Sequence, residues 1–402
     1  MMNPNNPSLV SWSFFKLSIW NTAFRAFFLF GALHSAIMIS LWLLNLSGVM
    51  HLSFRVNPVF WHSYELVFGF TRAILYGFLF TASQNWVGKT YLKGFQLSVL
   101  FFLWFVGRFA AYSLPDFLSA SFFAFDIASS LMAVVLFVQN VWIRGQERNR
   151  ILTYSLVIFL FLHLSAGLNL FSISLFPRPL DSIHLGIFSL ISFLVIIGAR
   201  ILPFFTGAVI PNHGIKPNHR LEILLPYFSV LLVFSELIVI WVPQFRMVSS
   251  SLFVVFGVLN LIRLIGWKSW KTISFPVLWI LHIAYFWISI GAFIYALSGF
   301  GYFPTSSAYH SLTIGAIGLF VFGMITRVSL GHTGRSIVAH PLIVAGYYGL
   351  NLAVLSRVFL PLFGYYSQAY WISGLMWVSS FLVFFVFHWK ILTLPRIDGR
   401  AS

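Results

Sequence analysis

Residues 310–335 read HSLTIGAIGLFVFGMITRVSLGHTGR, and runs of this kind decide the fold class. The apolar part of the stretch is continuous and reaches the roughly 20 residues that a helix needs to cross a lipid bilayer. Similar runs recur along the chain, in which 59% of the 402 residues are hydrophobic and 8% are charged. A soluble domain carries about a quarter charged residues, so the composition indicates an integral membrane protein. Because apolar residues do not alternate with polar ones, we predict helices and not a closed barrel.

The apolar runs predict an all-α polytopic membrane protein with about twelve transmembrane helices in a single domain, 1–402. The predicted spans are 24–46, 64–84, 95–113, 118–140, 151–173, 184–206, 222–242, 248–266, 276–298, 309–328, 338–362 and 370–392. An even number of spans places both termini on one side, and Lys and Arg concentrate in cytoplasmic loops. The termini and the loops after even-numbered helices hold fifteen Lys and Arg residues, whereas the opposite loops hold Arg55, Arg178 and Arg246. We therefore expect cytoplasmic termini, and we attribute the net charge of +16 to this bias and not to a nucleic-acid surface.

Polar residues recur in a threefold pattern. Predicted helices 1, 5 and 9 each carry one internal histidine, and predicted helices 2, 6 and 10 each begin with one. These histidines are His34, His163 and His282 in the first set and His62, His184 and His310 in the second. The pattern predicts three four-helix repeats, 24–140, 151–266 and 276–392, around a pseudo-threefold axis.

The three histidines that begin predicted helices 2, 6 and 10 lie at a similar depth on the non-cytoplasmic side. His62, His184 and His310 are therefore candidate ligands of a shared metal ion or haem iron, because an ionisable residue inside a membrane is costly and suggests function. Glu65 lies one helical turn from His62 and is a candidate for proton transfer. Helical spacing also puts Arg72 on the face of Glu65, as its expected counter-charge. The alternative is that these histidines cap helices or reach into the headgroup region.

Two further polar sets each allow a structural and a functional interpretation. His34, His163 and His282 lie deeper in the membrane, where interhelical hydrogen bonds and ligation of a second cofactor both account for buried imidazoles. On the cytoplasmic side, histidines and arginines could grip an anionic group such as a haem propionate or a phosphate, or could only supply positive loop charge. This cytoplasmic set consists of Arg200, Thr206, His213, Arg327, His332, Arg335 and His340.

Several recognisable motifs follow one another along the chain. They are FRAFFLF (24–30), WHSYELVFGF (61–70), GFLFTASQNWVGK (77–89), HLGIFSLISFLVIIGARILPFFTGAVIP (184–211), LWILHIAYFWISIG (278–291), the opening stretch and LPRIDGR (394–400). In this order they resemble the NnrS family, bacterial inner-membrane proteins associated with haem, copper and nitric oxide metabolism or resistance. The resemblance covers nearly the whole chain.

The resemblance implies that the chain binds haem and copper. The sequence has no cysteine, which excludes thiolate ligands and covalent haem attachment, so the implied cofactor is a non-covalent haem b with histidine as its axial ligand. Tyr64 stands where the family pattern leads us to expect a second histidine, and tyrosine can also ligate haem iron. The residues on family motif positions are His62, Glu65, His184, Arg200, His282, His310, Arg327, His332 and Arg335.

The resulting hypothesis is an integral haem/copper protein of the bacterial inner membrane that acts in nitric oxide metabolism or nitrosative-stress resistance. Whether it is an enzyme stays open. The predicted metal ligands are His62, His184 and His310, and the predicted catalytic residues are Glu65 and Tyr64. Further cofactor contacts are predicted at His282, His332, Arg327 and Arg335. One alternative is a haem- or metal-handling protein without catalysis, and another is a metal-free carrier of a small anion that uses Arg72, Arg200 and Arg327.

Overall fold

The computed structural model describes residues 14–211, 214–215 and 217–399, a part that contains helices and a single isolated β-bridge. Eleven of the described helices are long and apolar enough to cross a membrane, and one apolar helix is shorter. They are α1 (Ala23–Leu46), α2 (Pro58–Val87), α3 (Gly94–Gly107), α4 (Asp116–Val141), α5 (Glu147–Phe171), α6 (Asp181–Val209), α7 (His219–Trp241), α8 (Pro243–Gly266), α9 (Pro276–Gly299), α10 (Thr305–Gly331), α11 (Pro341–Phe363) and α12 (Tyr366–Thr393). The all-α polytopic membrane fold is therefore confirmed.

Local sequence fixes several of the helix starts. The side chain of Asn57 accepts hydrogen bonds from the first backbone N–H groups of α2, and Pro58 occupies the first helical position. Asn218 caps α7 in the same way, and His340 caps α11 ahead of Pro341. These are the residue types that satisfy the free N–H groups at a helix start, so α2 begins at Pro58, six residues before its predicted start.

Helix α3 is shorter than the predicted span 95–113. Its 14 residues cover about 21 Å at the rise of an α-helix, less than the roughly 30 Å of a hydrocarbon core. The helix ends where the next residue, Arg108, turns inward and pairs with Glu65 and Asp126. The chain then reaches Tyr112, which forms the β-bridge with Phe54 in the loop before α2.

Helices α2, α6 and α10 form the centre of the bundle. Their most apolar windows are 83%, 83% and 89% buried, whereas every other candidate span is at most 72% buried. A cavity of about 50 Å³ lies between them, and each helix lines it with four residues at positions i, i+3, i+4 and i+7. These residues are Thr71, Ile74, Leu75 and Phe78 in α2, Leu190, Phe193, Leu194 and Ile197 in α6, and Ile317, Phe320, Val321 and Met324 in α10. The three helices thus turn equivalent faces to a common axis, while the division into three repeats stays a prediction.

Two of the central helices contain a π-helical segment. In α2 the segment covers Glu65–Thr71, and in α10 it covers Ser311–Gly318. Each segment begins within three residues of a predicted ligand, His62 or His310. Such wide turns are rare and are often found at functional sites. We call the end of the bundle at which α2, α6 and α10 begin the histidine end, and the end at which they finish the arginine end.

Polar contacts between α1 and α12 join the two ends of the chain. Trp377 donates its indole N–H to the hydroxyl oxygen of Ser35 over 2.7 Å. The Arg25 guanidinium donates to the carbonyl oxygens of Leu392 and Leu394, at 3.0 and 2.7 Å. These carbonyls lie at the end of α12, where no intrahelical donor remains for them.

Candidate functional site

His62 and His310 both lie at the histidine end. His62 is within electrostatic range of His310, and Arg357 of α11 is within electrostatic range of both. The Nδ1 of His310 donates to the carbonyl of Ser306 over 2.6 Å, a bond that leaves the lone pair on Nε2. The Nδ1 of His62 is buried and has no hydrogen-bond partner among the described residues. His310 therefore has the protonation pattern that metal-ligating histidines use, and His62 has a ring nitrogen without a partner.

The third predicted ligand is placed differently. The ring of His184 stacks on Tyr309, with centroids 3.9 Å apart and an interplanar angle of 11°. His62 stacks instead on Trp42 of α1, at 4.6 Å and 18°. Across the part of the chain that the structure describes, no three histidine or carboxylate side chains form a group that could hold a metal ion. The described residues therefore do not bring the three predicted ligands together into one metal site.

Glu65 belongs to a buried ion network just inside the histidine end. Its Oε2 lies 3.1 Å from His34 Nε2 and 3.0 Å from Arg108 Nη1. The prediction that Arg72 neutralises Glu65 is wrong, because Arg72 pairs with Asp126, and Arg108 joins the two carboxylates. The π-helical segment lies between positions 65 and 72, so α-helical spacing does not place these two side chains together. Two arginines balance two carboxylates, as a buried charge cluster requires.

Arg72 and Arg108 contact Oδ1 of Asp126, and Tyr64 and His163 contact its second carboxylate oxygen, Oδ2. The Tyr64 hydroxyl donates to Asp126 Oδ2 over 3.0 Å, and His163 Nε2 lies 3.1 Å from the same oxygen. The Nδ1 of His163 lies 2.9 Å from Ser130 Oγ, to which Tyr76 also donates. Interhelical hydrogen bonding therefore accounts for His163. Ser130, His163 and Asp126 stand in the order of a hydrolytic triad, but they are at most 3% exposed and leave no room for a substrate.

Glycine at position 69 makes room for this network. A Cβ atom at Gly69 would lie 2.7 Å from both Arg108 Nη1 and Glu65 Oε2, and 2.9 Å from His34 Nε2. Sequence reasoning missed Arg108 and Asp126, although both fall inside predicted apolar spans. An ionisable residue within such a span is the signal that points to them.

At the arginine end, His282 and Arg200 form hydrogen bonds with neighbouring segments of the chain. His282 has hydrogen bonds on both ring nitrogens, with Thr206 Oγ1 at 3.0 Å and with Ser269 Oγ at 2.7 Å. Arg200 donates to the side chain of Asn149 and to the carbonyl of Arg148. These contacts connect α6 to the first turn of α5, and through His282 of α9 to the segment after α8. His213 lies outside the described residues.

The GHTGR loop packs against the C-terminal tail. The His332 carbonyl accepts a hydrogen bond from Arg396 over 2.9 Å, and burial, followed by the charge of Arg396, lowers the pKa of the His332 imidazole. The Arg335 guanidinium donates to the carbonyl of Thr333 at 3.4 Å. The guanidinium carbon of Arg327 lies 4.0 Å from the centre of the Phe205 ring.

Comparison with known families agrees with the motifs. A family model described as NnrS protein matches residues 18–396, a range that includes all twelve helices. The chain belongs to the NnrS family. No curated protein matches it. In this NnrS-family chain the matched region also contains the His62–His310 pair and the complete buried ion network.

Proposed function

We propose that this NnrS-family protein binds haem b non-covalently through His62 and His310 and acts in nitric oxide metabolism or nitrosative-stress resistance. The observation that carries the proposal is the imidazole pair at the histidine end, in which the His62 Nδ1 is buried without a partner. An unsatisfied buried polar atom costs about 1–3 kcal/mol, and ligation would remove this cost. Bound haem would supply a redox-active iron, and a diatomic ligand such as nitric oxide would bind to it in place of one of the two imidazoles.

The surrounding residues suggest how the protein would support such a ligand. Glu65 Oε2 is held by His34 and Arg108, whereas its Oε1 is buried and has no hydrogen-bond partner. We assign Glu65 the role of exchanging a proton with water or ligand near the imidazole pair. Tyr64 holds the network in place through Asp126 and does not ligate iron in this assignment.

The residue assignment does not extend to copper, because the described residues do not present three converging ligands. It also does not favour the anion carrier. Arg72 pairs with Asp126, and Arg200 donates to Asn149 and to the Arg148 carbonyl, so both are engaged within the chain. A haem-handling role without turnover stays compatible with the same imidazole pair.

The visible spectrum and metal content of the purified protein test the proposal. Protein from haem-replete cells should show a Soret band and bound iron, and His62→Ala and His310→Ala should each remove most of the band. His340→Ala is the matched control, because its exposed imidazole caps α11 and packs on Phe387 at the arginine end, so the band should persist. A colourless, metal-free preparation would refute the proposal. Loss of the band in His184→Ala alone would move the ligand assignment to His184.

We further infer that the protein lies in the bacterial inner membrane with both termini in the cytoplasm. The excess of Lys and Arg in the termini and in the loops after even-numbered helices supports this orientation. The arginine end then faces the cytoplasm, and the imidazole pair lies near the opposite surface.

A further inference from the structure

Arg327 is a buried cation without a hydrogen-bond acceptor. Arg327 is 4% exposed. Its Nε and Nη1 atoms are buried and have no hydrogen-bond partner among the described residues. The face of the Phe205 ring in α6 lies 4.0 Å from its guanidinium carbon, and Tyr347 of α11 lies within electrostatic range of it. A ring face attracts a cation but accepts no N–H hydrogen bond of ordinary strength. The N–H groups on Nε and Nη1 of Arg327 therefore stay unsatisfied.

The other deeply buried arginines all have acceptors. Arg72, Arg108 and Arg263 each donate to a carboxylate, and Arg25 donates to two backbone carbonyls at the end of α12. An arginine does not escape the cost of burial by losing its proton, because its pKa is too high. Within the described chain, Arg327 is thus the exception among arginines that are less than 6% exposed.

The chain has no carboxylate left to neutralise Arg327. All eight of its acidic residues fall in the described part, and each lies within 3.6 Å of an arginine other than Arg327. A buried charge is strongly unfavourable unless it is paired. Among the described residues no side-chain carboxylate is left for Arg327, so we look for its counter-anion outside them.

We propose that Arg327 binds a phosphate group, either of a phospholipid headgroup or of free inorganic phosphate. Phe205 covers one face of the guanidinium, so an anion would approach its edge, where the N–H donors point and match an oxyanion. Arg327 follows His310 by 17 residues, about 26 Å along a helix, which places it near the interface opposite the imidazole pair. The site is therefore independent of the proposed haem site, and either can fail alone.

The test uses thermal unfolding of the full-length protein, delipidated in a maltoside detergent with gluconate as the main anion. Inorganic phosphate is added in one arm, phosphatidylglycerol in a second, and dioleoylglycerol, which has no phosphate, in a third. We expect phosphate or phosphatidylglycerol to raise the Tm of the wild type by about 2 °C or more, and dioleoylglycerol to have no such effect. A response to phosphatidylglycerol alone identifies a lipid headgroup, and a response to phosphate identifies the free ion.

Two arginine variants separate anion binding from packing. Arg327→Gln should abolish the shift, whereas Arg220→Gln, an exposed arginine at the start of α7 on the same side, should keep it. Without phosphate, Arg327→Gln should be at least as stable as the wild type, because the substitution removes an uncompensated charge. A variant that is equally destabilised in every condition would instead indicate that Arg327 only packs on Phe205, and would overturn the proposal.

Native mass spectrometry provides a measurement that needs no variant. Wild-type protein purified from membranes or incubated with phosphate should retain one phosphate-bearing molecule per chain. A wild type that retains none, and whose Tm responds to neither probe, would also overturn the proposal.

Discussion

Replacing Asp126 by Asn tests whether the buried ion network stabilises the bundle. Asp126 forms ion pairs with Arg72 and Arg108 and is fully buried. Removing one partner of a buried ion pair costs about 3–5 kcal/mol, because an uncompensated charge remains. In this variant Arg108 still pairs with Glu65, and Arg72 still contacts Ser130 and His163. We therefore expect the free energy of unfolding to fall by the lower end of this range, about 3 kcal/mol.

The chain offers a matched control in Asp116→Asn. Asp116 also accepts a hydrogen bond from an arginine, Arg55, at 2.6 Å, but its side chain is 90% exposed. An exposed ion pair contributes about 0.2–1 kcal/mol. The two substitutions therefore change the same chemical group and differ in burial.

Thermal unfolding in detergent, followed by tryptophan fluorescence, distinguishes the two variants. We expect Asp126→Asn to lower Tm by roughly 4 °C and Asp116→Asn by roughly 1 °C or less, because the unfolding entropy of a 402-residue chain is large. The double variant Asp126→Asn/Arg72→Gln should recover part of the loss, because it restores charge balance in the network. Equal effects of the two Asn variants, or a double variant whose loss is the sum of the single losses, would refute the reasoning.

Three further predictions concern other parts of the molecule. Gly69→Ala should lower Tm markedly, since its Cβ would lie within 2.9 Å of three network atoms, whereas Gly349→Ala, whose nearest contact is 3.4 Å, should not. Stability should fall as pH drops below the unfolded histidine pKa of 6.5, because the folded His332 has the lower pKa, and His332→Gln should reduce this slope in pH-dependent Tm measurements. Green fluorescent protein fused after Ser402 should fluoresce in bacterial cells, and a dark but expressed fusion would contradict cytoplasmic termini.

Hydropathy predicted the order of the helices because lipid leaves the backbone no alternative to helices within long apolar runs, and eleven of the twelve predicted spans are long enough to cross a membrane. The boundaries depend on local chemistry that hydropathy ignores. The predicted start of α2 at residue 64 avoided the polar residues His62 and Ser63, yet the helix begins at Pro58 because Asn57 caps it. Similarly, α3 ends at Gly107 because Arg108 finds two buried carboxylates, and hydropathy cannot anticipate such partners.

Sequence spacing was less informative about the site, because pairing between charges depends on several helices at once. Glu65 and Arg72 are both recognisable in the sequence as ionisable residues within an apolar run. Their partners, Arg108 and Asp126, come from α3 and α4. Two cations and two anions allow several pairings that are all electrically neutral, and only the three-dimensional packing selects one of them.

The histidine end shows how the central helices depart from threefold equivalence. All three helices line the cavity with the same i, i+3, i+4 and i+7 pattern, but the first lining residue follows the histidine at different offsets. Thr71 follows His62 by nine residues, Leu190 follows His184 by six, and Ile317 follows His310 by seven. The π-helical segments of α2 and α10 lie within these intervals, and a π segment rotates the preceding turn relative to the rest of the helix. In α6, where the helix is continuous over this region, the histidine stacks on Tyr309. A repeat pattern alone predicts three equal ligands, whereas the wide turns in two of the three helices distinguish His62 and His310 from His184.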